Sequence, residues 1–278
     1  MAPLAHTLAL LAMTVVTAAI KVVPLDMAQN SFDDQYQGCR PAMTAALPAL
    51  KRSEFQQNPL FAEAWAAAAD GWQEQGSRWP PLLSPDHATA LTVYVLRDLH
   101  EVFTEAMQKA GSSPREYRDN FHFKALHFLL TDALATLKGS QGQKCRCVVW
   151  GVDWVQFKAQ RGQKVRFGQF ASASLCNDIA PNFGRGTVFQ VHTCHSVDIS
   201  ELFDYYSKKE VVILPFETFE VTDVTQDKKG VRIQLRSTGT HSNYNCEWLR
   251  GGGGPRDPPL LGGLLLATTA LAVASGIL

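Results

Sequence analysis

The chain has 278 residues, with 26 Lys plus Arg against 26 Asp plus Glu. That length suits one large domain or two small ones. Balanced charge excludes a bulk electrostatic nucleic-acid binder, and 19% charged with 46% hydrophobic residues excludes global disorder.

Residues 1 to 20 carry no formal side-chain charge apart from His6. They run apolar from Leu8 to Val16, then end in the small Thr17, Ala18 and Ala19. An apolar stretch closed by small residues predicts a secretory signal peptide over 1–20, although its only positive charge is the free amine. The next long segments read helical. Phe61 to Trp72 is Ala-rich, with Phe61, Trp65 and Trp72 along one stripe. Leu91 to Ala110 mixes apolar and charged residues at helical spacing, with a Val-rich start that also suits an extended segment. Lys124 to Lys138 aligns Leu126, Leu130, Leu134 and Leu137, and Gly139 is the expected stop.

After Gly139 the texture changes to short apolar runs: Cys145 to Trp150, Val165 to Phe170, Thr187 to Val191, Val211 to Leu214, Phe219 to Val221 and Val231 to Leu235. Gly, Asn, Asp and Lys separate them, which predicts strands. The expected class is therefore α+β, with an N-terminal helical part packed on a C-terminal β-rich core. The chain holds no phosphate loop, no Gly-rich strand-to-helix fingerprint and no internal repeat.

At the C-terminus, the small residues Gly251 to Gly254 precede a polar, Pro-rich spacer through Arg256, Asp257, Pro258 and Pro259. Leu260 to Leu278 then carries no charge. This order predicts a GPI-attachment signal over 251–278, with Gly251 or a following glycine as the acceptor. The competing reading is an ordinary single span of about 19 residues. Between the two signals lies a single ectodomain, 21–250, expected at the extracellular face of the plasma membrane through a lipid anchor. It contains all 6 cysteines, an even number that invites disulfides, with up to about 15 complete pairings. Cys145 and Cys147 would share a strand face and are poor partners for each other. No compact Cys and His set has structural-zinc spacing, so no metal is expected.

Five segments together resemble the vertebrate ecto-mono-ADP-ribosyltransferases, GPI-anchored or secreted enzymes that move ADP-ribose from NAD to arginine. They are Ser31 to Tyr36 with Gly38 and Cys39, Phe121 to Phe128, Val165 to Leu175, Phe216 to Val221, and His241 to Glu247. In order, they span essentially the whole ectodomain. The resemblance implies the ADP-ribosyltransferase fold, NAD or NADP as co-substrate, and arginine-bearing extracellular proteins as partners. It also pairs Cys39 with Cys246 and Cys145 with Cys194, each nominally contributing roughly 2–4 kcal/mol by restricting the unfolded chain. Cys147 and Cys176 lie outside that pattern and stay open: paired, free or buried.

The resemblance places the family's catalytic glutamate on Glu210 and its motif serine on Ser172. Nicotinamide departure develops positive charge on the ribose, and an aimed carboxylate stabilises it. By residue alone, Glu210 reads as a strand-edge carboxylate and Ser172 as a strand-end hydroxyl. Gly151 offers backbone to the co-substrate, Gln169 and Phe170 shape the pocket, and Phe183 falls where the family sets an aromatic against nicotinamide. His127 reads as a packed histidine and Glu217 as structural.

Two positions depart from the family. Its motif arginine, which can hold phosphate through charge-assisted bonds, is Trp150 here, with a stacking face and no charge. The first glutamate of its Glu-x-Glu motif, which helps accept the target arginine, is Lys208. Its charge repels a guanidinium and suits pairing with Glu210. Losing two charged partners corresponds to several kcal/mol of transition-state stabilisation, a rate factor of roughly a thousand or more. The alternative to arginine transfer is thus a catalytically weak or inactive surface protein.

Overall fold

A computed structural model describes residues 20–74, 80–142, 144–153, 155–176, 186–203, 210–227 and 230–251. The expected signal peptide lies almost wholly outside them. So does the expected anchor signal after Gly251, together with Phe183 and Lys208. Among the described residues no helix is long and apolar enough to cross a membrane.

The helical part comprises α1 (Arg40–Gln57), α2 (Pro59–Glu74), α3 (Pro85–Val95), α4 (Arg97–Ala110), α5 (Pro114–Asn120) and α6 (Lys124–Gln141). Local chemistry sets several starts. Ser84 and Ser113 accept from the backbone N–H three residues on, and Pro85 and Pro114 pre-set the first helical turn. The N-terminus of α6 has no cap of its own. Glu54 on α1 supplies one, its carboxylate accepting from Lys124 N (2.7 Å) and Ala125 N (2.9 Å). Burial lifts the Glu54 carboxyl to about 7, against the pull of those bonds and of Lys124.

Two helical expectations need correction. Leu91 to Ala110 is two helices rather than one: the backbone leaves the helix at Leu96 (ψ 120°), and the Val-rich start is helical. Gly139 does not stop α6, which runs to Gln141 and ends at Gly142, where φ is 72°. Glycine tolerates that left-handed φ and costs only about 1 kcal/mol inside a helix. The predicted Leu126, Leu130, Leu134 and Leu137 stripe is buried.

The strands are β1 (Lys21–Pro24), β2 (Arg146–Val152), β3 (Val155–Lys158), β4 (Lys164–Arg166), β5 (Ala171–Leu175), β6 (Thr187–Thr193), β7 (Ser196–Asp198), β8 (Glu210–Ile213), β9 (Glu217–Asp227) and β10 (Gly230–Thr240); α7 (Glu247–Arg250) follows. Eight form one sheet in the order β4-β9-β10-β6-β2-β5-β8-β7, while β1 and β3 make a separate parallel pair. Among the described pairings of the large sheet, β10 and β6 run parallel and the others antiparallel. The run predicted as a strand from Val165 to Phe170 is broken. Strand β4 ends at Arg166, and Gly168 turns the chain at φ 67° toward β5. A Cβ on Gly168 would come within 2.5 Å of Ala28 Cβ and 2.6 Å of Ser31 Oγ, so both space and backbone demand glycine.

Alternation along β8 shows how the layers meet. Val212 and its successor Leu214 face the helical core with Phe103, Phe128 and Phe170. Val211 and Ile213 face a second core with Val148, Phe167, Phe189 and Phe219. A strand buried on both faces reads as a continuous apolar run, as Val211 to Leu214 does.

Polar contacts fasten the periphery. The Arg166 guanidinium, wholly buried, pairs with Asp33 and donates to the carbonyls of Met27 (3.0 Å), Ala28 (3.0 Å) and His241 (3.2 Å). Asp33 also accepts from Asn243 N (2.9 Å) and Tyr244 N (3.1 Å). Asp34 accepts from Tyr36 N (2.7 Å), Cys246 N (2.9 Å) and Glu247 N (2.9 Å). The Ser31-to-Tyr36 and His241-to-Glu247 segments are therefore two halves of one clasp, and the disulfide Cys39–Cys246 closes it. Cys145–Cys194 and Cys147–Cys176 are also bonded, which resolves the open pair. Glu217, fully buried, accepts from Thr193 Oγ1 (2.6 Å), Cys194 N (2.8 Å) and His195 N (3.0 Å), fixing the turn from β6 to β7.

Candidate active site

Strand register decides which candidate residues meet. Ser172 on β5 lies opposite Val212 on β8, and Ser174 lies opposite Glu210. Residues two apart share a face. Ser172, Ser174 and Glu210 thus project from the face that carries Val212, the helical side. Val149 on β2 pairs with Ser174 and belongs to the same face. The Glu210 carbonyl accepts from Ile199 N (3.0 Å), fixing the start of β8.

The helices bring two further groups here. Tyr94, at the end of α3, lies with its phenol oxygen 2.9 Å from Ser172 Oγ. His100, in the first turns of α4, packs beside it with ring centroids 5.3 Å apart. Burial raises the Tyr94 phenol well above its usual pKa, and the Glu210 charge adds to that rise. Burial also lowers His100 below the ordinary imidazole value, against the opposing pull of Glu210 and Glu101. Both effects keep these rings uncharged near neutral pH.

Trp150 behaves differently. Alternation on β2 turns it away from Val149 and toward the second core. Its ring stacks on Phe189 (5.2 Å, 20°) and meets Phe167 edge-on (4.9 Å). Its remaining surface lines a cavity of about 880 Å³ between the β1–β3 pair and α4, shared with His100, Glu101, Gln108 and Gln169. Gln169 is not free in that wall, because its Oε1 accepts from Gln108 Nε2 at 2.5 Å. Gly151, next to Trp150, pairs with Val188 on β6. Arg166 also borders the cavity, but its charge is already matched by Asp33.

Ser172, Glu210, Trp150, Gly151 and Gln169 thus have defined places, whereas Phe183 and Lys208 lie outside the described residues. Tyr94 and His100 were missed by sequence reasoning. A tyrosine and a histidine on helices have no chemical spacing signature, and nothing in the Leu91-to-Ala110 spacing marks the break at Leu96 that brings them together. Cys145, His192 and Cys194 gather ligand atoms within 4.8 Å of one another. Both sulfurs are bonded to each other, which removes the thiolates a metal would need.

A carboxylate and hydroxyls on one face suit a ribose; the aromatic-walled cavity is lined by none of them and adjoins them through His100, which packs on Tyr94. These features and the helices-on-sheet architecture define the ADP-ribosyltransferase class. The family model described as NAD:arginine ADP-ribosyltransferase matches residues 25–243. The chain belongs to that family. It is 46% identical over 234 residues to the erythroblast NAD(P)(+)–arginine ADP-ribosyltransferase of Gallus gallus, covering 83% of this chain and 78% of that one. Against the GPI-linked NAD(P)(+)–arginine ADP-ribosyltransferase 1 of Mus musculus it is 44% identical over 239 residues, covering 82% and 74%. Among solved structures, the eukaryotic mono-ADP-ribosyltransferase ART2.2 superposes with a TM-score of 0.68 at 32% identity, covering 81% of this chain and 98% of that one. A mutant of the same enzyme in complex with NAD gives 0.66 at 30% identity, with the same coverage.

Proposed function

We propose that this chain is a mono-ADP-ribosyltransferase that uses NAD at the β5–β8 face, with arginine-bearing extracellular proteins as acceptors. The observation that carries this reading is the shared face of Ser172, Ser174 and Glu210 in a chain of this family. Glu210 holds a ribose hydroxyl and stabilises the positive charge that grows as the nicotinamide bond breaks. Ser172 positions that carboxylate or the ribose. Gln169 lines the cavity, and the family resemblance assigns Gly151 and Phe183 to co-substrate binding. NAD supplies the ADP-ribosyl group, and no metal takes part in this reading.

A specific observation favours slow turnover as the second reading. Trp150 is packed on Phe189 and Phe167, on the sheet face opposite Glu210, and brings no charge to a pyrophosphate. Lys208 stands at the sequence position of the family's first motif glutamate and carries the opposite charge. Nicotinamide release and transfer of labelled ADP-ribose to a small guanidino acceptor test the proposal, with wild type compared to Glu210→Gln. Activity abolished in the variant supports it. Equal labelling by both proteins would overturn it.

The same reading places the chain outside the cell, with residues 1–20 guiding export and 251–278 guiding lipid attachment to the membrane. Several relatives are named as GPI-linked. Release from intact cells by a phosphatidylinositol-specific phospholipase checks the anchor. Retention, under conditions that free a control GPI protein, refutes it.

A further inference from the structure

We propose that Tyr94 is a positioning residue for Ser172: its phenol donates to the serine oxygen and thereby turns the serine's own hydrogen toward the Glu210 side of the site. This inference rests on the role given to Ser172 and Glu210 above.

The geometry comes first. Tyr94 is buried at the end of α3, only 3% exposed, with its oxygen 2.9 Å from Ser172 Oγ. Its ring is held on two sides, edge-on to Phe170 (6.0 Å between centroids) and against His100 (5.3 Å). The backbone break at Leu96 places both rings at this point, because one straight helix would carry His100 past the site.

Hydroxyl chemistry supplies the direction. A serine offers one hydrogen and two acceptor lone pairs, and its rotor turns to suit its partners. Left alone on a strand, such a hydroxyl competes for local backbone acceptors. A phenol that stays protonated keeps one hydrogen to give, and on this proposal that hydrogen goes to Ser172 Oγ, 2.9 Å away. Once it donates to Ser172, the serine hydrogen must point elsewhere. The next same-face pair along the two strands is Ser174 with Glu210, about 7 Å on. A ribose spanning that interval would meet the serine hydrogen at one end and the carboxylate at the other. The Glu210 charge already acts on both Tyr94 and His100, so the three groups form one electrostatic cluster.

The test is a double-mutant cycle on nicotinamide release from NAD by the purified protein: wild type, Tyr94→Phe, Ser172→Ala and the double variant. Tyr94→Phe keeps the ring and removes only the hydroxyl. The expected result is a kcat about tenfold lower, with KM for NAD changed by less than about twofold. In the Ser172→Ala background the same substitution should change nothing further. Thermal midpoints are measured alongside. Wild-type kcat in Tyr94→Phe overturns the proposal, and so does a loss that multiplies with that of Ser172→Ala. A rate loss that tracks loss of folded protein in both backgrounds overturns it too, by assigning Tyr94 a purely structural role. Absence of nicotinamide release from wild type refutes the enzymatic reading and this inference together. A working wild type with an unaffected Tyr94→Phe refutes this inference alone.

Discussion

Asp33→Ala removes the carboxylate at the centre of the clasp and leaves Arg166 in place. Both side chains are fully shielded from solvent. The variant strands a guanidinium whose remaining partners are three neutral carbonyls. It also frees the amides of Asn243 and Tyr244. Breaking a buried ion pair by removing one partner costs about 3–5 kcal/mol. Total stability for a domain is only about 5–15 kcal/mol, so this is a large share. For a domain of this size, each kcal/mol shifts the thermal midpoint by roughly 2–4 °C, so a fall of roughly 6–20 °C is expected. Differential scanning calorimetry on the disulfide-intact protein measures it. Because the pair is dry, the loss should persist in about 1 M salt, where exposed pairs are screened. A loss under about 1 kcal/mol, or one that vanishes in salt, would contradict the assignment of Asp33 and Arg166 as a buried anchor.

Two other outcomes are expected. Restoring the family's charges with Trp150→Arg and Lys208→Glu should raise transfer to a guanidino acceptor by roughly a hundredfold or more; a wild type that already matches the double variant refutes the charge argument. Acid should destabilise the fold through His127, which burial holds neutral down to about 3. The unfolded chain protonates near 6.5, so this contribution is complete above that pH and is lost as pH falls from there toward 3. Between pH 6.5 and 4.5 the loss is about 2–3 kcal/mol. Glu54 works in the opposite sense, since its carboxyl is raised from 4.5 to about 7 and favours the fold as pH falls through that window. Comparing urea midpoints of wild type and His127→Gln at the two pH values isolates the histidine. Identical pH slopes would refute its role.

The sequence carried the fold to different depths in different places. The α6 stripe and the Val211-to-Leu214 run were legible because burial is written into their apolar spacing. Helix α1 was not, since a proline at position 48 signals a break that the helix runs through, and alanines dilute its buried Met43, Leu47 and Leu50 stripe. Strands β9 and β10 extend well beyond their apolar centres. Their outer residues, such as Thr225 and Ser237, hold places in the ladder that composition does not signal. In the site, Ser172 and Glu210 could be located only through the resemblance, because a lone serine and a strand-edge glutamate carry no pattern. Their shared face depends on the β5–β8 register, a pairing between segments that lie far apart in sequence. Trp150 shows the converse. Its substitution is plain in the chain, but its stacking on Phe189 depends on which side of β2 it faces.

The clasp also sets a load path. Tension applied to the C-terminal end of the domain passes the short α7 helix and arrives at Cys246. From there the covalent bond carries it to Cys39 at the head of α1, bypassing β10. The last long strand is therefore not in line with the pull and is spared unzipping from its neighbours. The tail anchor proposed above would then stretch the domain across a sulfur–sulfur bond rather than along a ladder of hydrogen bonds.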